Sequence, residues 1–119
     1  MLILDDRRAR ELVAAQRKRI EAALNGLAGS VRSESELHAQ QESETDAGSE
    51  LATEMVEDAL VADLRAELAA VARAEARIEA GTYGRSIESG AAIPDGRLES
   101  EPLAERTVEE QRRVDATAR

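Results

Sequence analysis

The first third of the chain repeats its apolar positions every three or four residues, which predicts an amphipathic helix. Asp5 or Asp6 can cap the start of this helix. Gly26 and Gly29 each make the free energy of helix formation roughly 1 kcal/mol less favourable than alanine would, so fraying or a bend is expected towards the end of this helix. The stripe consists of Ala9, Leu12, Val13, Gln16, Ile20, Ala23, Leu24, Leu27 and Val31.

A second helix is predicted from Thr45 or Asp46 to Ala80, with Gly81 as its C-terminal stop. Between the two helices, residues 32–50 have Leu37 as their one large apolar side chain and cannot bury themselves. Two facing stripes predict a mostly α fold, a long antiparallel coiled-coil helical hairpin over residues 1–80 with its tip at about 33–50. The predicted inward positions of the second helix are Leu51, Met55, Leu60, Val61, Leu64, Leu68, Val71 and Ile78.

After Gly81 the chain is rich in turn residues, which indicates a small separate lobe over residues 81–119. Pro102 is predicted to open a short C-terminal helix that runs through Leu103 and Val108 towards Val114. The chain has one Tyr and no Phe or Trp, so its core is expected to be thin.

Acidic residues are concentrated in the middle of the chain. The formal net charge is −9, and residues 32–63 alone carry ten acidic side chains and one basic one. Recognition of phosphate backbones requires clustered Lys and Arg, so this region is not expected to bind DNA or RNA directly. An acidic tip suits a basic groove or a metal site on another protein.

The absence of cysteine excludes disulfides and thiolate metal sites. The N-terminal apolar run is too short for a signal peptide, and no apolar run is long enough to span a bilayer. A cytoplasmic protein without a membrane segment is therefore expected.

No catalytic constellation is apparent in the sequence, so the chain is predicted not to be an enzyme. It has no glycine-rich phosphate loop, no His-Glu-x-x-His helix and no nucleophile with a nearby base. His38 is the one histidine and lies in the polar segment, where a solvent-exposed role is expected. The arginine-rich start of the first helix, between Arg7 and Arg19, can dock on an acidic surface or a nucleotide, but the outer face of a coiled coil is the favoured interpretation.

One stretch of the sequence resembles the C-terminal zinc-finger region of the DksA/TraR family, bacterial transcription regulators that bind RNA polymerase. The resemblance extends by helical register over residues 46–76. It implies a coiled-coil tip inserted through the secondary channel of the polymerase towards the catalytic centre, and a monomeric protein. The matching residues are Arg77-Ile78-Glu79-Ala80-Gly81-Thr82-Tyr83-Gly84, Gly90, Ile93-Pro94, Arg97-Leu98-Glu99, Pro102, Ala104 and Gln111.

The family's four zinc-binding cysteines are replaced in this chain by Ser86, Ser89, Thr107 and Glu110, at unchanged spacing. Three neutral hydroxyls and one carboxylate do not supply the thiolate or imidazole donors of structural zinc. A degenerate, metal-free lobe is therefore predicted. Hydrogen bonds among these residues are expected to hold it, together with packing by Tyr83, Ile87, Ile93, Leu98, Leu103 and Val108.

The resemblance also assigns the tip. The family pattern Asp-x-x-Asp-x-Ala falls on Ser43, Asp46 and Gly48, so Asp46 is implied as the effector residue. Glu42 and Glu44 lie close enough in sequence to replace the missing carboxylate. Asp46 is also a suitable N-cap for the second helix, and the two roles are compatible. The alternative to a polymerase-binding regulator is a non-catalytic coiled-coil scaffold or interaction protein that has lost the polymerase role.

Overall fold

Four helices make up most of the protein in a computed structural model that describes residues 4–40 and 47–118, with side chains for residues 4–28 and 51–118. They are α1 (Asp6–Gln40), α2 (Ala47–Ala80), α3 (Asp95–Ser100) and α4 (Val108–Thr117). In the described residues, β pairing is limited to an isolated antiparallel bridge between Arg85 and Ala92. None of the helices in this part of the chain is long and apolar enough to cross a membrane.

Helix α1 starts as the sequence predicts but is longer at its other end. The Oδ1 atom of Asp5 accepts a hydrogen bond from the backbone N–H of Arg8 at 2.7 Å, which is an N-cap. The helix then passes through Gly26 and Gly29 without interruption and ends at Gln40. The predicted fraying is therefore wrong, because residues 32–40 contain neither Gly nor Pro, the two residues that most disfavour a helix. The alternative, a bend near the two glycines, stays a prediction.

Helix α2 begins and ends close to its predicted bounds. Its last turn closes with two hydrogen bonds, from the N–H of Gly81 to the carbonyl of Ile78 and from the N–H of Thr82 to the carbonyl of Arg77. This pair of bonds is a Schellman motif, and it requires a left-handed residue after the helix. Gly81 supplies it with φ of 75°, which confirms the predicted stop.

The chain divides into two compact units, and the first comprises Met1–Gln16 and Ala70–Arg119. Its core combines the start of α1 and the end of α2 with two residues of the C-terminal segment. The buried apolar residues are Ala9, Val13, Val71, Ala74, Ile78, Ile93 and Leu98. Of the residues predicted to pack the lobe, Ile87 and Val108 are instead exposed, at 51% and 37%.

In the second unit, Arg17–Ala69, side chains are described for residues 17–28 and 51–69, and few of these are buried. Ile20 is fully buried, and an ion pair joins Arg19 Nη2 to Glu67 Oε2 at 3.8 Å. Val61, Leu64 and Leu68 are half-buried, whereas Leu51, Met55 and Leu60 are exposed. The prediction that these three residues face inward is wrong, because α2 carries apolar residues around its whole circumference and periodicity alone does not choose between its faces. The antiparallel coiled-coil hairpin and the division at residue 80 stay predictions.

The C-terminal segment contains more helix than predicted, and its last helix starts later. Residues 95–100 form α3 where only turns were expected, and α4 begins at Val108 rather than at Pro102. Pro102 is buried, and its carbonyl accepts a hydrogen bond from the hydroxyl of Tyr83 at 2.6 Å. This bond holds Pro102 in a turn, and a capping sequence at Thr107 starts the helix instead.

Candidate functional site

The four residues predicted to occupy the zinc-ligand positions, Ser86, Ser89, Thr107 and Glu110, interact with one another in the first unit. Ser86 and Ser89 lie in a tight loop, in which the N–H groups of Glu88 and Ser89 both donate to the Oγ of Ser86, at 3.1 and 3.3 Å. The N–H of Gly90 closes the loop on the carbonyl of Ser86 at 2.9 Å. Ser86 is 5% exposed, so its hydroxyl is enclosed by the loop.

Thr107 and Glu110 meet this loop from the start of α4. The Oγ1 of Thr107 accepts a hydrogen bond from the N–H of Glu110 at 3.3 Å, and Oε1 of Glu110 accepts one from the N–H of Thr107 at 2.9 Å. This reciprocal arrangement is a capping box. It satisfies backbone donors that the first turn of a helix leaves free.

The carboxylate of Glu110 is the centre of this cluster. Hydrogen bonds from the side chain of Ser89, from the backbone of Thr107 and from the side chain of Ser86 lower the pKa of Glu110 to about 2. Each of these bonds favours the ionised form, and the N-terminal end of α4 favours negative charge as well. Glu110 is 5% exposed. The cluster of Ser86, Ser89, Thr107 and Glu110 therefore acts as one hydrogen-bonded polar core.

The donors of this cluster do not fit a structural zinc ion. The capping box engages Oγ1 of Thr107 and Oε1 of Glu110, and the Oγ of Ser86 already accepts two backbone N–H groups. Structural zinc prefers thiolate and imidazole donors in a tetrahedral set. Among the described residues, no group of three or more His, Asp or Glu side chains is arranged to hold a metal ion. That the lobe is metal-free stays a prediction.

A charged cluster that the sequence did not reveal attaches the loop before α4 to helix α2. Both oxygens of Glu105 bind Arg73, with Nε at 3.0 Å and Nη2 at 3.1 Å, and Oε2 also binds Nη1 of Arg77 at 2.9 Å. Glu105 and Arg77 are largely buried. The hydrogen bond from Arg73, with the charges of both arginines, lowers the pKa of Glu105. The i,i+4 spacing of the two arginines was visible in the sequence, but their partner about thirty residues away was not.

The arginines near the start of α1 are occupied by carboxylates of the same chain. Arg8 donates to Glu99 through Nε at 3.0 Å and Nη2 at 2.7 Å, and the hydrogen bond from Arg8 lowers the pKa of Glu99. Arg10 binds Glu79 at 3.0 Å. Arg7, Arg17 and Arg19 also form ion pairs, which favours the outer-face interpretation over a phosphate site.

The predicted tip residues fall outside the part of the chain whose side chains are described. Four of them lie outside the described residues: Glu42, Ser43, Glu44 and Asp46. Gly48 is the second residue of α2, and only its helical secondary structure is described. The effector assignment and the N-cap role of Asp46 stay predictions.

Comparison with solved structures finds a protein with a similar fold. The fold is similar to that of the transcription factor DksA2 from Pseudomonas aeruginosa, with a TM-score of 0.79 and 24% sequence identity over 95% of this chain and 84% of that protein. No family model matches the sequence, and no curated protein matches it. The chain therefore has a DksA-like, mostly helical fold, as the sequence resemblance predicted.

Proposed function

We propose that this protein is a DksA/TraR-type transcription regulator that binds RNA polymerase through its secondary channel. The observation that carries this proposal is the DksA-like fold along 95% of the chain, shared with a protein described as a transcription factor. The motif from Arg77 to Gln111 supports it independently, because it was identified from the sequence alone.

The connection between α1 and α2 is proposed as the part that reaches the active centre of the polymerase. Asp46 is the effector residue in this proposal, with Glu42 and Glu44 as additional carboxylates and Ser43 and Gly48 at the remaining tip positions. The support is the resemblance and the charge of residues 32–63, which favours a basic channel over nucleic acid. A monomer without direct contact to DNA or RNA is part of the proposal.

The lobe is proposed to position the two long helices without a metal. Its support is the Glu110 cluster, which fills the four positions with hydrogen bonds, and the contact of Glu105 with Arg73 and Arg77, which ties the lobe to α2. No catalytic step by this chain is proposed.

The test is binding of the tagged protein to bacterial core RNA polymerase, in competition with a factor known to occupy the secondary channel. Competitive binding is expected. In a transcription assay, Asp46→Asn should change the amount of product while leaving polymerase affinity unchanged. Asp63→Asn is the matched control, since it makes the same change at an exposed site of α2.

Absence of polymerase binding would overturn the proposal and favour the scaffold alternative. Binding that the competitor does not displace would exclude the secondary channel. Equal transcription by the parent protein and by Asp46→Asn would remove Asp46 from the mechanism.

A further inference from the structure

The first half of α2 has an apolar outer surface. Six large apolar side chains are exposed in the described part of the chain, and four of them lie in one ten-residue stretch of α2. They are Leu51, exposed at 58%, Met55 at 64%, Val56 at 61% and Leu60 at 46%. The alanines at positions 52, 59 and 62 are exposed as well. Isolated exposed apolar residues are common on protein surfaces, but a concentration of this kind usually marks an interaction site.

Helical geometry joins these residues into one surface. At 3.6 residues per turn, positions 51, 55, 59, 52, 56 and 60 follow one another around about 180° of the helix. Val61, Leu64 and Leu68 point the other way and are half-buried in the second unit. The surface formed by Leu51, Met55, Val56 and Leu60, named here the α2 outer face, is therefore separate from the side of the helix that packs within the unit.

Charge defines what this surface can bind. Glu54 and Asp58 are exposed and lie four residues apart, along the edge beside Leu51 and Met55. Residues 47–64 contain no Lys or Arg. The first cation along the helix is Arg65, about 7.5 Å beyond Leu60 along the helix axis. The α2 outer face is thus an apolar strip with an acidic edge, and a complementary partner carries basic residues beside its apolar ones.

A second copy of the chain does not meet this requirement. In a symmetric antiparallel pair of helices, equivalent edges lie against each other, so Glu54 and Asp58 would face their own copies. Like charges in that position are repulsive, and residues 47–64 offer no basic side chain to offset them.

We propose that the α2 outer face is a docking site for an amphipathic helix of another protein, one whose apolar face is edged by Lys or Arg. Helix-on-helix packing suits a convex strip of this width. The proposal goes beyond the function assigned above, because it needs neither the tip residues nor the polymerase.

The test uses the full-length protein and two labelled helical peptides of about 18 residues, long enough for five turns. Both peptides have the same Leu/Ala face, and one carries Lys and the other Glu along its edges. Fluorescence anisotropy should show binding of the Lys peptide that weakens with salt, and markedly weaker binding of the Glu peptide. The double variant Leu51→Gln/Met55→Gln should weaken binding at least about tenfold, equivalent to roughly 1.4 kcal/mol.

Ala72→Gln is the matched control, because it places the same polar side chain at an exposed position of α2 that lies on the other side of the helix and about three turns beyond Leu60. The charge-reversed variant Glu54→Lys/Asp58→Lys keeps the apolar residues and should reverse the preference in favour of the Glu peptide. Circular dichroism establishes that each variant keeps its helix content, and the charge-reversed variant tests the proposal even where the double Gln variant unfolds.

Three results would overturn the proposal: no binding of the Lys peptide, equal binding of the two peptides, or sedimentation of the protein as a dimer that Leu51→Gln/Met55→Gln dissociates. The last result would assign the face to a second copy of the chain. The peptide-binding assay contains no polymerase, so a negative result in it does not test the proposed polymerase binding.

Discussion

Thr107 and Glu110 hold each other through two reciprocal hydrogen bonds, in which each side chain accepts the backbone N–H of the other residue, at 2.9 and 3.3 Å. The pair starts α4 and joins it to the loop that contains Ser86 and Ser89. These two residues, which the sequence resemblance aligns with zinc-ligand positions, thus provide a helix cap and an anionic centre for the lobe.

Glu110 should make the stability of the protein depend on acid pH. Its pKa in the folded protein is about 2, below the ordinary 4.5, so the folded form binds its proton less tightly than the unfolded form. The stabilisation is therefore complete above about pH 4.5 and is lost as the pH falls towards 2. Glu110→Gln should lower stability at pH 7 and have progressively less effect as the pH approaches 2.

Urea denaturation at a series of pH values measures this difference. Glu109→Gln is the control, since Glu109 lies in the same first turn of α4 but is exposed. An equal effect of Glu110→Gln at pH 7 and pH 2 would contradict the assignment of the low pKa to the cluster.

Removal of metal should not affect the parent protein. Because the cluster offers hydroxyls and one carboxylate in place of thiolates, thermal melting with and without a strong chelator is expected to give the same Tm. A large fall in Tm with the chelator would show that a metal supports the fold.

Cysteine at all four of these positions should create a metal site. The quadruple variant Ser86→Cys/Ser89→Cys/Thr107→Cys/Glu110→Cys is expected to bind Co²⁺ with the absorption of tetrahedral thiolate coordination, and to gain thermal stability with Zn²⁺. The double variant Ser86→Cys/Ser89→Cys is the control, because it supplies only two thiolates. If the quadruple variant shows no thiolate–metal absorption, the four positions are not the counterparts of a zinc site.

Glu105→Gln should destabilise the protein by about 2 kcal/mol, because it removes the charged partner of Arg77, a side chain only 13% exposed. Glu101→Gln disrupts a pair in which the glutamate is 66% exposed, and its effect should stay below about 1 kcal/mol. Denaturant unfolding at pH 7 compares the two variants. Equal losses would show that the Glu105 cluster contributes no more than a surface ion pair.

The sequence by itself determined the features that depend on neighbouring residues. The bounds of α2, its stop at Gly81 and the cap at Asp5 follow from local propensity and capping, which act within one or two turns. The motif from Arg77 to Gln111 was specific enough to predict the DksA-like fold.

Tertiary structure alone decided which residues meet across the chain. Apolar residues surround α2, so only packing within the second unit determines that Leu64 is covered and Met55 is exposed. The contact of Glu105 with Arg73 and Arg77, and the turn that removes Pro102 from the last helix, join positions far apart in sequence. Periodicity and propensity carry no information about such contacts, because they describe each segment separately.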